Sequence, residues 1–206
     1  ISWGIAIPIG VYSATHKYSV IDYTLTFVAF VGIATPSFLL ALTLLFVSVF
    51  YFDSETVAGF CSPEYNKAPW AWAKFVDLLQ HLWVPLVVLG TSGTAGLIRI
   101  TRANLLDELR KPYVITARSK GLTERQVIWK YPVRVALNPF ISSVGYVLPG
   151  LISGATIISV VLSLPTTGPL LLSALLSQDM YLAGSFLLML STLTVLGTLI
   201  SDILLG

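Results

Sequence analysis

Residues 23–52 read YTLTFVAFVGIATPSFLLALTLLFVSVFYF, thirty positions without an Asp, Glu, Lys or Arg. A helix needs about 20 apolar residues to cross a bilayer, so this run is long enough to span one, with Pro36 as an expected kink. Two further runs, 135–178 and 180–201, lack the same four residue types. Across all 206 residues, 55% are apolar and 11% charged, and mean hydropathy is +0.84. A soluble domain carries roughly 25% charged residues, because much of its surface faces water. The sequence therefore describes an all-α, polytopic membrane protein. A transmembrane barrel would alternate in segments of roughly ten residues instead.

Working outward from that run, about five spanning helices are expected in a single transmembrane domain covering residues 1–206. Residues 1–15 are read as the remainder of a helix that begins before Ile1. Thr24–Phe52, Leu78–Thr101, Leu137–Leu162 and Tyr181–Leu205 are the other four. Gly206 follows an apolar stretch with no polar tail, so the core of a longer protein, truncated at both ends, is expected. The run 135–178 is about twice as long as one span needs. Leu164-Pro-Thr-Thr-Gly-Pro169 onward is accordingly read as a turn and a short interfacial or re-entrant helix, which requires cover from protein or a watery cavity.

Charge gives an orientation. From Arg99 to Arg134 there are nine basic and three acidic residues, a net of +6, whereas the loop 53–77 carries a net of −2. Positive charge stays in the cytoplasm. Residues 104–136 are thus expected inside and the loop 53–77 outside, with Trp70, Trp72 and Trp83 in an aromatic belt near the outer face. Phosphate-level anchoring in the inner leaflet accounts for Arg99 and Arg102. The lipid bilayer is the first partner, and no nucleic acid is expected.

Several chemistries are excluded. Cys61 is the single cysteine and His16 and His81 are the two histidines, so no cysteine cluster or paired-histidine metal or haem site is expected. No Gly-Lys dipeptide occurs, so a phosphate-binding loop of that type is missing. The chain is expected to be no enzyme and to hold no cofactor, and any ATP chemistry falls to another chain. The spans contain no Asp, Glu, Lys or Arg in their interiors, which argues against a proton- or sodium-coupled carrier. His81 is read as a plain interfacial histidine.

The segment 104–136 has its own pattern. Pro112 suits the first position of a helix, Tyr113–Lys120 follow without a breaker, and Gly121 stands where helices end in a left-handed residue. Thr123-Glu-Arg-Gln126 is a capping box opening a second short helix, which Pro132 closes. The result is helix, glycine corner, helix. Thr116, Ala117 and Lys120 are expected on one side of the first helix, and Val127, Ile128 and Tyr131 on one side of the second. Such a knob fits a groove on a partner; a basic amphipathic segment lying on anionic lipid is the other reading.

Tyr113-Val-Ile-Thr-Ala-Arg-Ser-Lys-Gly-Leu122, followed by Asn138-Pro139, resembles the cytoplasmic signature of binding-protein-dependent ABC importer permeases. More narrowly, it resembles the dipeptide, oligopeptide and nickel branch, where Thr-Ala-Arg-x-Lys-Gly-Leu replaces the general Glu-Ala-Ala-x-x-x-Gly. The likeness extends to Pro36-Ser-Phe38 and to Leu164-Pro-Thr-Thr-Gly168. Tyr131-Pro132 departs from it, since relatives commonly carry a histidine followed by alanine there. The resemblance implies a type I importer transmembrane domain in a bacterial inner membrane. Its implied partners are a second permease, a related chain forming a heterodimer, two ATPase subunits and an external solute-binding protein. It also implies that Tyr113, Thr116, Ala117, Arg118, Ser119, Lys120, Gly121, Leu122 and Glu124 form the coupling element seated in the ATPase.

The expected function is the translocation pathway for dipeptides or oligopeptides, with nickel chelates or other small solutes as alternatives in the same family. A membrane scaffold for a soluble partner is the alternative from another class. Pathway and gate candidates are Pro36, Ser142, Ser153, Thr156, Pro165, Thr167 and Gly168. Gly150 and Gly154 serve either close helix packing or a pore wall. Asp179 either meets a charged substrate end or caps a helix.

Overall fold

The computed structural model describes residues 1–52, 59–62, 64–65, 68–153 and 156–206. Among them every regular element is an α-helix, in the order α1 Ser2–Thr15, α2 Val20–Ala34, α3 Ser37–Phe52, α4 Trp72–Glu108, α5 Pro112–Ser119 and α6 Glu124–Lys130. Then follow α7 Pro132–Ala136, α8 Asn138–Ser153, α9 Thr156–Val161, α10 Thr167–Leu176 and α11 Met180–Leu205. The all-α expectation holds.

Among the described residues, two helices, Trp72–Glu108 and Met180–Leu205, are each long and apolar enough to cross a membrane, and Val20–Ala34 with Ser37–Tyr51 passes the same test only as a pair. The expected kink in Thr24–Phe52 is a full break. Pro36 has no N–H to continue the ladder and its ring disfavours helical backbone at Thr35. The Pro36 carbonyl then accepts from Leu39 and Leu40 at 3.0 and 3.1 Å, starting α3 afresh. The expected Leu78–Thr101 is extended at both ends: α4 has 37 residues, about 55 Å at 1.5 Å per residue, well beyond a hydrocarbon core of about 30 Å. The segment expected to start at residue 104 therefore begins within α4. Leu137–Leu162 is represented by α8 and α9, and the turn with a short helix after Leu164 appears as α10. Pro132 both ends α6 and opens α7 at its first position.

The chain divides into two compact units, one of residues 1–34, 91–144 and 200–206, the other of 35–90 and 145–199. In the first, Ala6, Ala29, Ala95 and Ile98 form one core where α1, α2 and α4 meet. Small side chains let helix backbones approach closely where lipid supplies no hydrophobic drive. Gly10 is the tightest point: a Cβ there would lie 2.6 Å from the Cβ of Thr101. A second core joins Val11, Ala14, Leu105, Val133 and Ala136 from α1, α4 and α7.

In the second unit, Ala41, Val84, Val88, Ile158, Leu162 and Leu164 pack α3, α4 and α9 around one core. Close helix packing falls elsewhere than at Gly150, where a Cβ would meet nothing within 4 Å; at Gly197 it would lie 2.8 Å from the Gly145 carbonyl oxygen. Gly154 lies outside the described residues, as do 53–58, 63, 66 and 67 of the expected external loop. His81 is buried at 4% exposure. Its Nδ1 lies 2.7 Å from the Asp77 carbonyl oxygen, which can only accept, so Nδ1 carries the proton. The Asp77 carboxylate in turn accepts from the Ser62 N–H and hydroxyl at 2.9 and 2.6 Å.

Candidate functional site

The knob between α4 and α7 is built by short-range chemistry. Lys111 caps α5 in extended backbone with Pro112 just inside, where a missing N–H costs nothing. Lys120 closes α5, and Gly121 follows at φ +80°. That left-handed backbone is open to glycine and costs a residue with a Cβ roughly 1–2 kcal/mol. Nothing lies within 4 Å of where a Gly121 Cβ would sit, so backbone conformation, not crowding, selects glycine. The capping box is complete: Gln126 N–H donates to the Thr123 hydroxyl at 3.4 Å and Thr123 N–H to the Gln126 side chain at 3.1 Å.

Folding the two helices together makes a small core of Val114, Ala117 and Val127, flanked by Leu122 and Tyr131. This redistributes the expected faces. Ala117 is 5% exposed and Val127 fully buried, so both hold the knob's shape and neither is available to a partner. Leu122 is half-buried, whereas Tyr113, Thr116, Arg118, Ser119, Lys120, Gly121 and Glu124 are exposed.

Arg118 and Glu124, both expected in the coupling element, are paired with each other. Arg118 Nε and Nη2 donate to the two Glu124 oxygens at 2.8 and 3.2 Å, clasping the glycine corner from outside. Tyr113 donates its hydroxyl to Glu108 at 2.6 Å. Partial burial, then that carboxylate, pushes its phenol up to about 12. The exposed Ile115 and Trp129 add apolar surface to the knob.

A second polar feature is absent from the sequence reading. Asp22, in the first turn of α2, is 1% exposed. Arg102 on α4 donates to it through Nε and Nη2, both at 2.8 Å. The Ser13 hydroxyl also donates to Asp22, and Arg102 Nε reaches Ser13 Oγ at 3.1 Å. Tyr18, at φ +65° in the turn between α1 and α2, gives its N–H to the same carboxylate at 2.9 Å. A buried carboxylate is tolerable because it is paired bidentately and hydrogen-bonded on both oxygens. Arg102 is thereby committed to Asp22 and is not a free phosphate anchor. The available signal was Asp22 itself, a lone acid between two apolar helices, but its partner is 80 residues away.

The pathway candidates differ in exposure. Pro36, Ser142 and Pro165 are exposed, Thr156 and Thr167 half-buried and Gly168 buried; the Ser153 side chain lies outside the described residues. The Ser142 hydroxyl donates to the Asn138 carbonyl one turn back at 3.2 Å. Asp179 behaves as the cap, its carboxylate accepting the Leu182 N–H at 3.0 Å.

Residues 6–206 match the family of the binding-protein-dependent transport system inner membrane component. The chain belongs to that family. It is 36% identical over 203 residues to the oligopeptide transport system permease protein AppB of Bacillus subtilis, covering 97% of this chain and 61% of that one. The dipeptide transport system permease protein DppB of Escherichia coli is 30% identical over 219 aligned positions, 98% of this chain and 64% of the relative. The peptidoglycan transport system permease protein YejB of Agrobacterium fabrum is 31% identical over 207, or 99% and 57%. The chain thus spans about three fifths of the length of these relatives.

Proposed function

We propose that the chain is the membrane-embedded core of a permease subunit that forms the translocation pathway for dipeptides or oligopeptides in an ATP-driven importer. Residues 104–136 then face the cytoplasm and the loop 53–77 faces outward, a reading that the charge distribution supports. The single observation carrying the reading is the knob: a compact, self-cored pair of short helices with a positive-φ glycine corner, in a chain of an inner-membrane transport family. In this reading the exposed Thr116, Ser119 and Lys120 sit in a groove on an ATPase subunit, and the knob moves as a rigid piece when that ATPase closes. A second, related permease completes the pathway, and an external binding protein delivers the solute. Peptide as the cargo is supported by the names of the oligopeptide and dipeptide relatives.

The test is uptake of a labelled tripeptide by cells carrying the full-length protein, with its ATPase either intact or inactivated by mutation. Uptake should disappear with ATPase activity, and the ATPase should co-purify with the permease. Uptake that persists without ATP hydrolysis, or a permease that never retains an ATPase, contradicts the reading.

A further inference from the structure

With Arg102 taken by Asp22, Arg99 one turn earlier on α4 makes no hydrogen bond or ion pair among the described residues. Its exposed side chain borders a crevice of about 150 Å³ between α2 and α4, lined by Thr26, Ala29, Phe30, Ile33, Ile98 and Ala103 together with the two arginines. The walls are apolar apart from Thr26 and the arginines. Outside the crevice the surface stays apolar, with Phe27 68% and Val31 48% exposed. The combination is an apolar slot with one uncommitted guanidinium at its edge, in a chain whose surface here suits hydrocarbon.

We infer that this crevice is a binding site for an anionic phospholipid. Arg99 holds the phosphate and part of an acyl chain lies against Ala29, Phe30, Ile33 and Ile98. The leaflet rests on the orientation proposed above, which makes it the inner one. Charge complementarity selects the occupant. A guanidinium presents a planar fork that matches phosphate oxygens, and inner-leaflet anionic lipid is attracted to arginines at this depth. A helix of a second permease would fill the slot but leave Arg99 without a counter-charge unless it brought an acid into the membrane, which is costly. The volume suits a stretch of chain rather than a whole lipid, since an apolar cavity of about 150 Å³ accommodates a molecule the size of benzene. The structural consequence is a wedge of lipid seated on α2 and α4, the helices that carry Asp22 and Arg102 of the cluster.

The test uses the assembled importer with its full-length chains, reconstituted into nanodiscs of equal parts phosphatidylethanolamine and phosphatidylglycerol. After release from the discs, retained lipids are counted by native mass spectrometry. Wild type should retain phosphatidylglycerol preferentially. Arg99→Gln should lower that retention roughly fivefold, and Ala103→Phe, which fills the slot and leaves the charge, should lower it comparably. Arg134→Gln removes an exposed charge outside the crevice and should change it little. Equal loss in Arg99→Gln and Arg134→Gln overturns the site, because the effect would then be general electrostatics. A cysteine at position 103 that cross-links efficiently to the second permease also overturns it, since protein would occupy the slot. ATPase retention is scored in the same preparations. Loss of the ATPase with lipid preference intact would count against the proposed function and leave the lipid site standing.

Discussion

The knob and the Ser13–Asp22–Arg102 cluster belong to the same compact unit and are held by opposite means. In the knob, the contacts that set its shape are close in sequence: a capping box from Thr123 to Gln126, a clasp between Arg118 and Glu124, and a core drawn from residues 114 to 131, while Ile128 packs against the core that Val11, Leu105 and Val133 share. Its charges are exposed and its shape comes from one backbone angle. In the cluster, the charges are buried and the contacts join residues 80 and 89 apart. Damage should therefore behave differently. A lesion in the knob changes the direction of two short helices and leaves the membrane helices alone. A lesion in the cluster strands a charge where α1, α2 and α4 meet.

The largest effect is expected from Asp22→Ala. Breaking a buried ion pair by removing one partner costs about 3–5 kcal/mol, and the lower figure applies because Arg102 keeps a quarter of its side chain exposed. The variant should show a lower thermal midpoint in detergent and reduced membrane levels. Asp22→Ala with Arg102→Leu should recover most of the loss, since the stranded charge goes too. If the double variant is no better than the single one, the pair is not what holds these helices.

Next comes Gly121→Val. Forcing a β-branched residue to φ +80° costs at least about 1–2 kcal/mol, and a five- to tenfold loss of ATPase co-purification is expected with the thermal midpoint of the membrane domain nearly unchanged. Gly121→Ala should be milder and Gly121→Asn milder still, because Asn tolerates left-handed backbone best among residues with a Cβ. A fall in the midpoint as large as that of Asp22→Ala would erase the contrast between the regions.

The two regions also differed in how much of them could be read beforehand. Pro112, Gly121 and the Thr123–Gln126 box are local signals, and each appears where its chemistry places it. The knob's core was not legible, since which faces of two short helices meet depends on the corner between them; hence Ala117 and Val127 face inward. The cluster was hidden for a different reason. Asp22 and Arg102 each look like boundary charges until α1, α2 and α4 are assembled. Helix existence was clear for α11, almost residue for residue. The break at Pro36 and the length of α4 were not clear, because hydropathy marks apolar composition and does not mark where a helix stops.

The smallest effect should come from the clasp. An exposed pair such as Arg118–Glu124 is worth roughly 0.2–1 kcal/mol, so Glu124→Gln alone should barely change stability. Exchanging the charges, Arg118→Glu with Glu124→Arg, keeps the clasp and inverts the surface. If ATPase binding reads that surface, the exchange should weaken co-purification more than Glu124→Gln does. If the clasp only shapes the corner, the exchange should behave as wild type.

The most direct test of the central claim, that the knob is the part of this chain seated in an ATPase, is a single-site cross-link. Ser119→Cys, made in the full-length protein with Cys61 replaced by Ser, places a thiol on the exposed side of α5. In inside-out membrane vesicles containing the assembled transporter, it should form a covalent adduct with the ATPase subunit through a short bifunctional reagent. The yield should change when ATP is bound and when it is hydrolysed. A thiol that is modified only from the outer face of the membrane, or that stays freely reactive with no adduct in the presence of the ATPase, contradicts the account.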